Sequence, residues 1–537
     1  MATKGIYKIM QLFKDDRFFF LFWGAIGLYI GLHVTRLMML SQNFTFTRII
    51  NPDQFVLMDN LRLLFEELVS LRLKGFLYNC YFFGYGIVFW LFSFLTSLPF
   101  WLIDSQQGVV LSQRFFSFIC SLSSCFILIF ALRRYLKVLY VSLFVAFFFL
   151  LHPTLILWHT AMHPESLYSL FLVGTFCLLI RDNGVFKKAY YWSLVFFALA
   201  VSTKLTAIVG GILYVIYFLF YRLELRTFRV IVTSIGLFSG ITFFLNSGLI
   251  FPLIRERFFR WIGDLALMNN LDNSSRLIWE KVVGIQNIYL NFYLLAALGC
   301  IGGYYLFARS LVGKKDKVAM LMALSVIGVF LFFTLLQGAL GSHYAYPIFY
   351  FIFFVLALSV NRLGQFFLEK RKIITATCTF FFLAGSLVST TSRGIAFLFY
   401  PWRSPEGSFI EGHGIYSKKQ TFSDFCGHVN FVNETTSFLR LHGLENKRIC
   451  VSPGGGVIKK SCRDKTTWLP VAHVDDKAIW DADVLCFRLY DKAAVISEVV
   501  GEEYFFSSCE VEKAPWRGLF EEIYEQGDFK IFLKKEL

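Results

Sequence analysis

The chain has 537 residues, of which 56% are hydrophobic and 17% charged, with a formal net charge of +15. A soluble domain sits near half apolar and about a quarter charged, so this balance excludes a purely soluble globular protein. No basic run is interleaved with aromatics on a polar face, so nucleic acid is not an expected partner; Lys and Arg in cytoplasmic loops of a membrane protein account for the positive charge.

The apolar excess lies between residues 17 and 391, behind a basic N-terminus (Lys4, Lys8, Lys14, Arg17). No small-residue cleavage site follows the first apolar run, which reads as a retained span rather than a removed signal peptide. A bilayer-crossing helix needs about 20 apolar residues. Spans are expected near 18–37, 114–132, 138–157, 166–180, 189–203, 205–221, 229–250, 284–308, 318–339, 345–360 and 373–391, some of them short.

A further apolar stretch runs from 78 to 102. Basic clusters at Arg133/Arg134/Lys137, Arg181/Lys187/Lys188, Arg222/Arg226/Arg229, Arg309/Lys314/Lys315/Lys317 and Arg362/Lys370/Arg371/Lys372 fall on every second loop, which places those loops in the cytoplasm. The N-terminus joins them there only if 78–102 does not cross. That stretch is then an interfacial or re-entrant helix pair on the outer side, broken by Pro99. The alternative is that it crosses and the N-terminus lies outside.

The expected fold is thus a polytopic α-helical membrane protein of about 11 spans over 1–391, with 38–113 as its first outer loop. A small α/β domain over 392–537 follows on the non-cytoplasmic side. In that domain NETTSFLRLHGL reads as helix, and RICVSP, DADVLCFRLY and FKIFLKK as strands. The SPGGGV run, Ser452 to Val457, lacks the Lys-Ser/Thr of a phosphate-binding loop and reads as a turn. Cys426, Cys450, Cys462, Cys486 and Cys509 all lie in this domain, room for one or two disulfides.

Ionisable groups at a membrane face are expensive, so those on one side of the bundle are functional candidates. Asp53 follows Pro52 in the first outer loop, where it is also a natural helix cap. The short loop WHTAMHPES offers His159, His163 and Glu165, which the sequence allows to meet at a metal or to stay solvated. Lys204 in Ser202-Thr203-Lys204-Leu205-Thr206 and His343 in Ser342-His343-Tyr344-Ala345-Tyr346-Pro347 each place a basic residue at the outer end of a span. Such a residue either pairs with a phosphate at headgroup level or snorkels to the interface.

In this order the elements resemble the GT-C superfamily of membrane glycosyltransferases. They are most similar to its lipid-phosphate-sugar-dependent branch, which includes the protein O-mannosyltransferases and the lipid A aminoarabinose transferase. Asn51-Pro52-Asp53-Gln54-Phe55 resembles the acidic pair of the first outer loop, with Gln54 departing at the second position. Phe83-Gly84-Tyr85-Gly86 resembles the interfacial segment before the second span, and Met162-His163-Pro164-Glu165 the acidic element of the second outer loop. Thr203-Lys204-Leu205-Thr206 and His343-Tyr344 through Pro347 resemble the Thr-Lys and basic-Tyr-Pro elements.

The resemblance implies an inverting transferase at the periplasmic or lumenal face, in the bacterial inner membrane or, in a eukaryote, the endoplasmic reticulum membrane. It implies Asp53 as general base, with Lys204, His343 and Tyr344 on the donor phosphate. Glu165 and His163 would hold a metal or phosphate, with a divalent ion as candidate cofactor. The donor would be a polyprenyl- or dolichyl-phosphate sugar, and the acceptor a hydroxyl of a lipid, glycan or protein. The competing readings are a non-catalytic relative and a transporter or flippase, the last of which requires broken spans in matching halves.

Overall fold

The structure is a computed structural model that describes residues 17–41, 53–103, 105–133, 135, 155–156, 159, 161–221, 225–260, 314–337 and 346–370. In the C-terminal part it describes 438–439, 441–444, 447–452, 467–469, 477–488, 494–498, 501–505, 508–526 and 529–535. The chain divides into two compact units, Met1–Gln42 with Asn60–Pro405, and Asn43–Asp59 with Glu406–Leu537.

The first unit is helical. Its described helices are α1 (Arg17–Ser41), α2 (Asp53–Val69, whose first residues belong to the second unit), α3 (Leu73–Asn79), α4 (Ile87–Leu102), α5 (Gln106–Leu132), α6 (Glu165–Asp182), α7 (Lys188–Thr203), α8 (Ile212–Phe220), α9 (Leu225–Leu245), α10 (Lys314–Gln337) and α11 (Tyr346–Lys370). Among the described residues, Gly108–Leu132 and Phe228–Leu245 are long and apolar enough to cross a membrane. Phe22–Thr35, Ile87–Leu102, Leu205–Phe220 and Tyr346–Leu358 are shorter apolar helices. The expected spans 284–308 and 373–391, and all but two residues of 138–157, lie outside the described residues.

Helix α6 is the centre of the unit, packed against α5, α7 and α11. Both its ends are pinned by side chains. At the C-terminal end Asn183 takes a left-handed conformation (φ 54°), as a helix-terminating residue does. Asp182 accepts from the backbone N–H of Phe186 (2.7 Å) and Lys187 (2.9 Å) and from the Tyr217 hydroxyl (2.6 Å), which fastens the α6–α7 turn to α8. This carboxylate is fully occupied by structural bonds.

The helix break expected at Pro99 falls elsewhere. Pro99 lies inside α4, near its end, while the chain turns between α3 and α4 through a short 3₁₀ segment, Phe82–Gly84. In the last turn a proline removes only one helical donor, and the carbonyl it leaves belongs to Leu95, a well-exposed residue. The real break is set by Gly84, which takes a φ of +65°.

In the second unit β1 (Arg448–Ser452), β2 (Thr467–Leu469), β3 (Val484–Arg488), β6 (Phe520–Gln526) and β7 (Phe529–Lys534) form a mixed sheet ordered β2-β1-β3-β7-β6. β1 runs parallel to β2 and β3, and the β6–β7 hairpin is antiparallel to them. β4 (Ala494–Glu498) and β5 (Gly501–Phe505) make a separate hairpin. Helices α12 (Lys477–Asp481) and α13 (Ser508–Lys513) complete a small α/β arrangement whose core gathers Cys450, Ile479, Leu485, Phe487, Trp516 and Phe532.

Three strands fall where the sequence places them. The described part of NETTSFLRLHGL holds only short helical fragments, and 453–457 lie outside the described residues. Cys450 and Cys486 are buried. Cys450 is opposite Leu485 in the register and shares the core face with it, so Cys486, one residue on, points to the other face. Neighbouring strands cannot join two such thiols to each other.

Candidate functional site

The chain opens α6 with Pro164 and Glu165, so Glu165 sits in the first turn, where a helix favours a carboxylate. It is 0% exposed, and two side chains meet it: the Lys204 ammonium on Oε1 and the His163 Nδ1 on Oε2. His163 is 3% exposed and Lys204 6%. The sequence left open whether Lys204 snorkels to the interface; instead it is buried on a carboxylate. Its backbone explains the placement. Lys204 ends α7 with an extended conformation (φ −150°, ψ 125°), which turns its side chain away from the helix, and a 3₁₀ segment (Leu205–Gly211) carries the chain on into α8.

That extended residue makes an antiparallel bridge with Tyr85, just before α4. The backbone N–H of Gly86 donates to the Thr203 carbonyl at 3.0 Å. A Cβ at residue 86 would collide with the carbonyl oxygen of Ser202, so only glycine permits the approach. The Tyr85 hydroxyl lies 2.9 Å from His163 Nε2, and its ring lies under the Lys204 ammonium, 5.5 Å from the centroid. In the neutral imidazole one nitrogen donates and the other accepts. With Nδ1 donating to Glu165, Nε2 can accept from the Tyr85 hydroxyl. The four side chains meet in one cluster: a buried ion pair, a ring that supports the carboxylate, and a tyrosine that contacts both the ring and the cation.

On the other side of the same loop a second buried network runs from α1 to α6. Tyr29 OH lies 2.7 Å from His159 Nδ1, His159 Nε2 3.4 Å from Tyr350 OH, Tyr350 OH 2.6 Å from Tyr346 OH, and Tyr346 OH 2.7 Å from Ser121 Oγ. Ser121 Oγ in turn donates to Ser166 Oγ at 3.1 Å. Ser166 follows Glu165 directly, so this chain of hydroxyls braces the residue next to the site. It also separates the two histidines of WHTAMHPES: His163 faces Glu165, and His159 faces the tyrosines.

The metal expectation gains no support from this arrangement. Among the described residues no three His, Cys, Asp or Glu side chains converge on one point. Glu165 and His163 supply two donors, but an ammonium occupies the other carboxylate oxygen, and its charge opposes a divalent ion. As arranged, these residues do not fit a divalent ion, and the cluster presents a cation with N–H groups, which suits an anion.

Of the sequence candidates, the structure brings Glu165, His163 and Lys204 together. Asp53 is the first residue of α2, in the stretch grouped with the second unit, which agrees with the helix-start position read from the sequence. His343 and Tyr344 lie outside the described residues.

Sequence reasoning gave no site role to Tyr85, nor to Arg257, whose guanidinium lies over the rings of Tyr78 (4.0 Å) and Phe82 (4.6 Å) beside the same turn. It also passed over Arg114, 1% exposed near the start of α5. A basic residue at the edge of an apolar run, and a tyrosine between two glycines, were the signals available.

No protein-family model matches the chain, and no curated protein does. Among solved structures, the chain is similar in outline to the crystal structure of ArnT from Cupriavidus metallidurans in the apo state, at 12% identity and a TM-score of 0.49, covering 95% of this chain and 97% of that one. It is similar in the same way to the ArnT crystal structure from that organism bound to undecaprenyl phosphate, at 10% identity and a TM-score of 0.48, covering 95% of this chain and 98% of that one.

Proposed function

We propose that this chain is a multi-pass membrane glycosyltransferase of the GT-C type. It moves a sugar from a polyprenyl- or dolichyl-phosphate donor to an acceptor hydroxyl at the outer face of the membrane. The observation that carries the reading is Lys204, a cation buried at a helix end against Glu165 and beside His163 and Tyr85. A buried charge near a membrane surface is costly and marks function by default, and an ammonium suits the charge of a lipid phosphate.

In the proposed reaction the acceptor oxygen forms a bond to the anomeric carbon while the bond to the phosphate oxygen breaks. Asp53 takes the hydroxyl proton as general base. The electron pair of the broken bond leaves with the lipid phosphate, whose developing charge Lys204, His343 and Tyr344 offset. One displacement inverts the anomeric centre. Glu165 and His163 hold Lys204 in place, and no step is assigned to a metal. The donor is already activated, so the reaction needs no nucleotide.

The test uses the full-length protein in sealed vesicles with a radiolabelled undecaprenyl-phosphate sugar and host-membrane acceptors. Label should leave the lipid and appear on an acceptor. Label that crosses the membrane still attached to its lipid identifies a flippase, and an intact, unmoved donor identifies a non-catalytic relative; either sinks the proposal.

A further inference from the structure

The phosphate reading leaves Tyr85 unexplained, although it touches both His163 and Lys204. It is 5% exposed. Its hydroxyl meets His163 Nε2 at 2.9 Å, its ring faces the Lys204 ammonium at 5.5 Å, and its backbone bridges Lys204 itself. The neighbouring Gly86–Thr203 bond at 3.0 Å fixes the spacing of the two segments. These contacts come from one turn, Phe82–Gly86, packed on the end of α7. A tyrosine needed only to fill the space would not require the glycine that lets its backbone reach Lys204.

We propose that Tyr85 is a positioning residue of the anion site. Its hydroxyl fixes the His163 ring against Glu165, while its ring and backbone hold Lys204, so that the ammonium meets a phosphate in a single orientation. The proposal rests on the reading of Lys204 as a phosphate ligand. It acts through two partners that separate substitutions can isolate. Tyr85→Phe deletes the bond to His163 and keeps the ring beneath Lys204. Tyr85→Leu deletes both.

Two measurements on the full-length protein in lipid decide it. The first needs no ligand: solid-state NMR of protein labelled with ¹⁵N-histidine, with His163 assigned by the loss of its signals in His163→Phe. Tyr85→Phe should move the His163 Nε2 resonance, because that nitrogen loses its hydrogen bond to the Tyr85 hydroxyl. The second is the dissociation constant for undecaprenyl phosphate. Tyr85→Phe should weaken binding by about three- to tenfold, the worth of one hydrogen bond, and Tyr85→Leu further. The Tyr85→Phe loss should vanish in the His163→Phe background, and the additional Tyr85→Leu loss should vanish in Lys204→Ala.

An unmoved Nε2 resonance, or losses that simply add in the double variants, overturns the proposal; a purely space-filling tyrosine gives the second result. If the wild-type protein binds no undecaprenyl phosphate, the phosphate reading itself fails and the proposal with it. A moved resonance would then leave Tyr85 only as a brace for His163.

Discussion

The Lys204–Glu165 pair allows a test of how the site is held, apart from what it does. Both side chains are almost wholly out of water, at 7% and 1% exposure. Two unit charges about 4 Å apart attract by about 4 kcal/mol at an effective dielectric of ~20, and by more at closer contact. Removing each ion from water costs several kcal/mol, so the pair as a whole is close to neutral for stability. The consequence is asymmetric. Lys204→Met leaves the Glu165 carboxylate buried without its ammonium, and Glu165→Gln takes the carboxylate away from a buried ammonium; each should destabilise by about 3–5 kcal/mol. The double variant Glu165→Gln/Lys204→Met removes both charges and should recover most of that loss.

At roughly 2 °C per kcal/mol for a unit larger than 150 residues, each single variant should melt on the order of 5 to 10 °C below the parent, with the double variant close to it. The assay is tryptophan-fluorescence melting of the full chain in one detergent at one lipid content. Single variants that melt like the parent, or a double variant whose loss is the sum of the two, would show that the charges are solvated and that the site lacks the dry interior invoked for phosphate stabilisation. The double variant also separates fold from function, since it should be folded yet bind undecaprenyl phosphate more weakly than the parent.

Three further outcomes are expected. Asp53→Asn should lower sugar transfer by about 10² to 10⁴-fold, the worth of a general base, with melting unchanged, while Asp59→Asn in the same helix should not; the reverse result in the vesicle assay would move the catalytic role to Asp59. Cysteines placed at Ser105 and Asn43 should be labelled by a membrane-impermeant maleimide from the same side, because α4, at 16 residues and about 1.5 Å per residue, falls short of a bilayer core of ~30 Å; labelling from opposite sides would refute the topology. Arg448 holds the Asp483 carboxyl below the usual range, chiefly through a bond to its guanidinium at 2.9 Å. The depressed folded-state value means that this contact stabilises above the ordinary carboxylate pKa of about 3.9 and is lost as pH falls through the folded value, so Asp483→Asn should speed amide hydrogen exchange in β1 at neutral pH, with the difference from the parent shrinking toward pH 3.

The distribution of what the sequence revealed has a physical cause. Helices α1, α5, α6, α7 and α9 were legible because a bilayer tolerates only long apolar runs, and such runs survive any uncertainty in tertiary packing. β1, β3 and β7 were legible from compact β-branched and aromatic runs bounded by charge. The turn between α3 and α4 is not where the sequence suggests, because a proline looks like the stronger breaker. Near a helix end, however, a proline costs little, whereas a glycine at φ +65° reverses the chain.

The site shows the same limit more sharply. Glu165, His163 and Lys204 were visible singly, because each is an ionisable group in an apolar setting, and that setting makes them conspicuous. The contact between them was not visible. It depends on Lys204 leaving the helix in an extended conformation and on Gly86 admitting a backbone distant in the chain, Ser202 to Lys204 against Tyr85 and Gly86. Tyr85 and the Tyr29–His159–Tyr350–Tyr346–Ser121 network remained hidden for a related reason. Tyrosine and serine are inexpensive to place in apolar helices, so only their hydrogen-bond partners, which the fold supplies, distinguish a structural hydroxyl from one that braces a charged site.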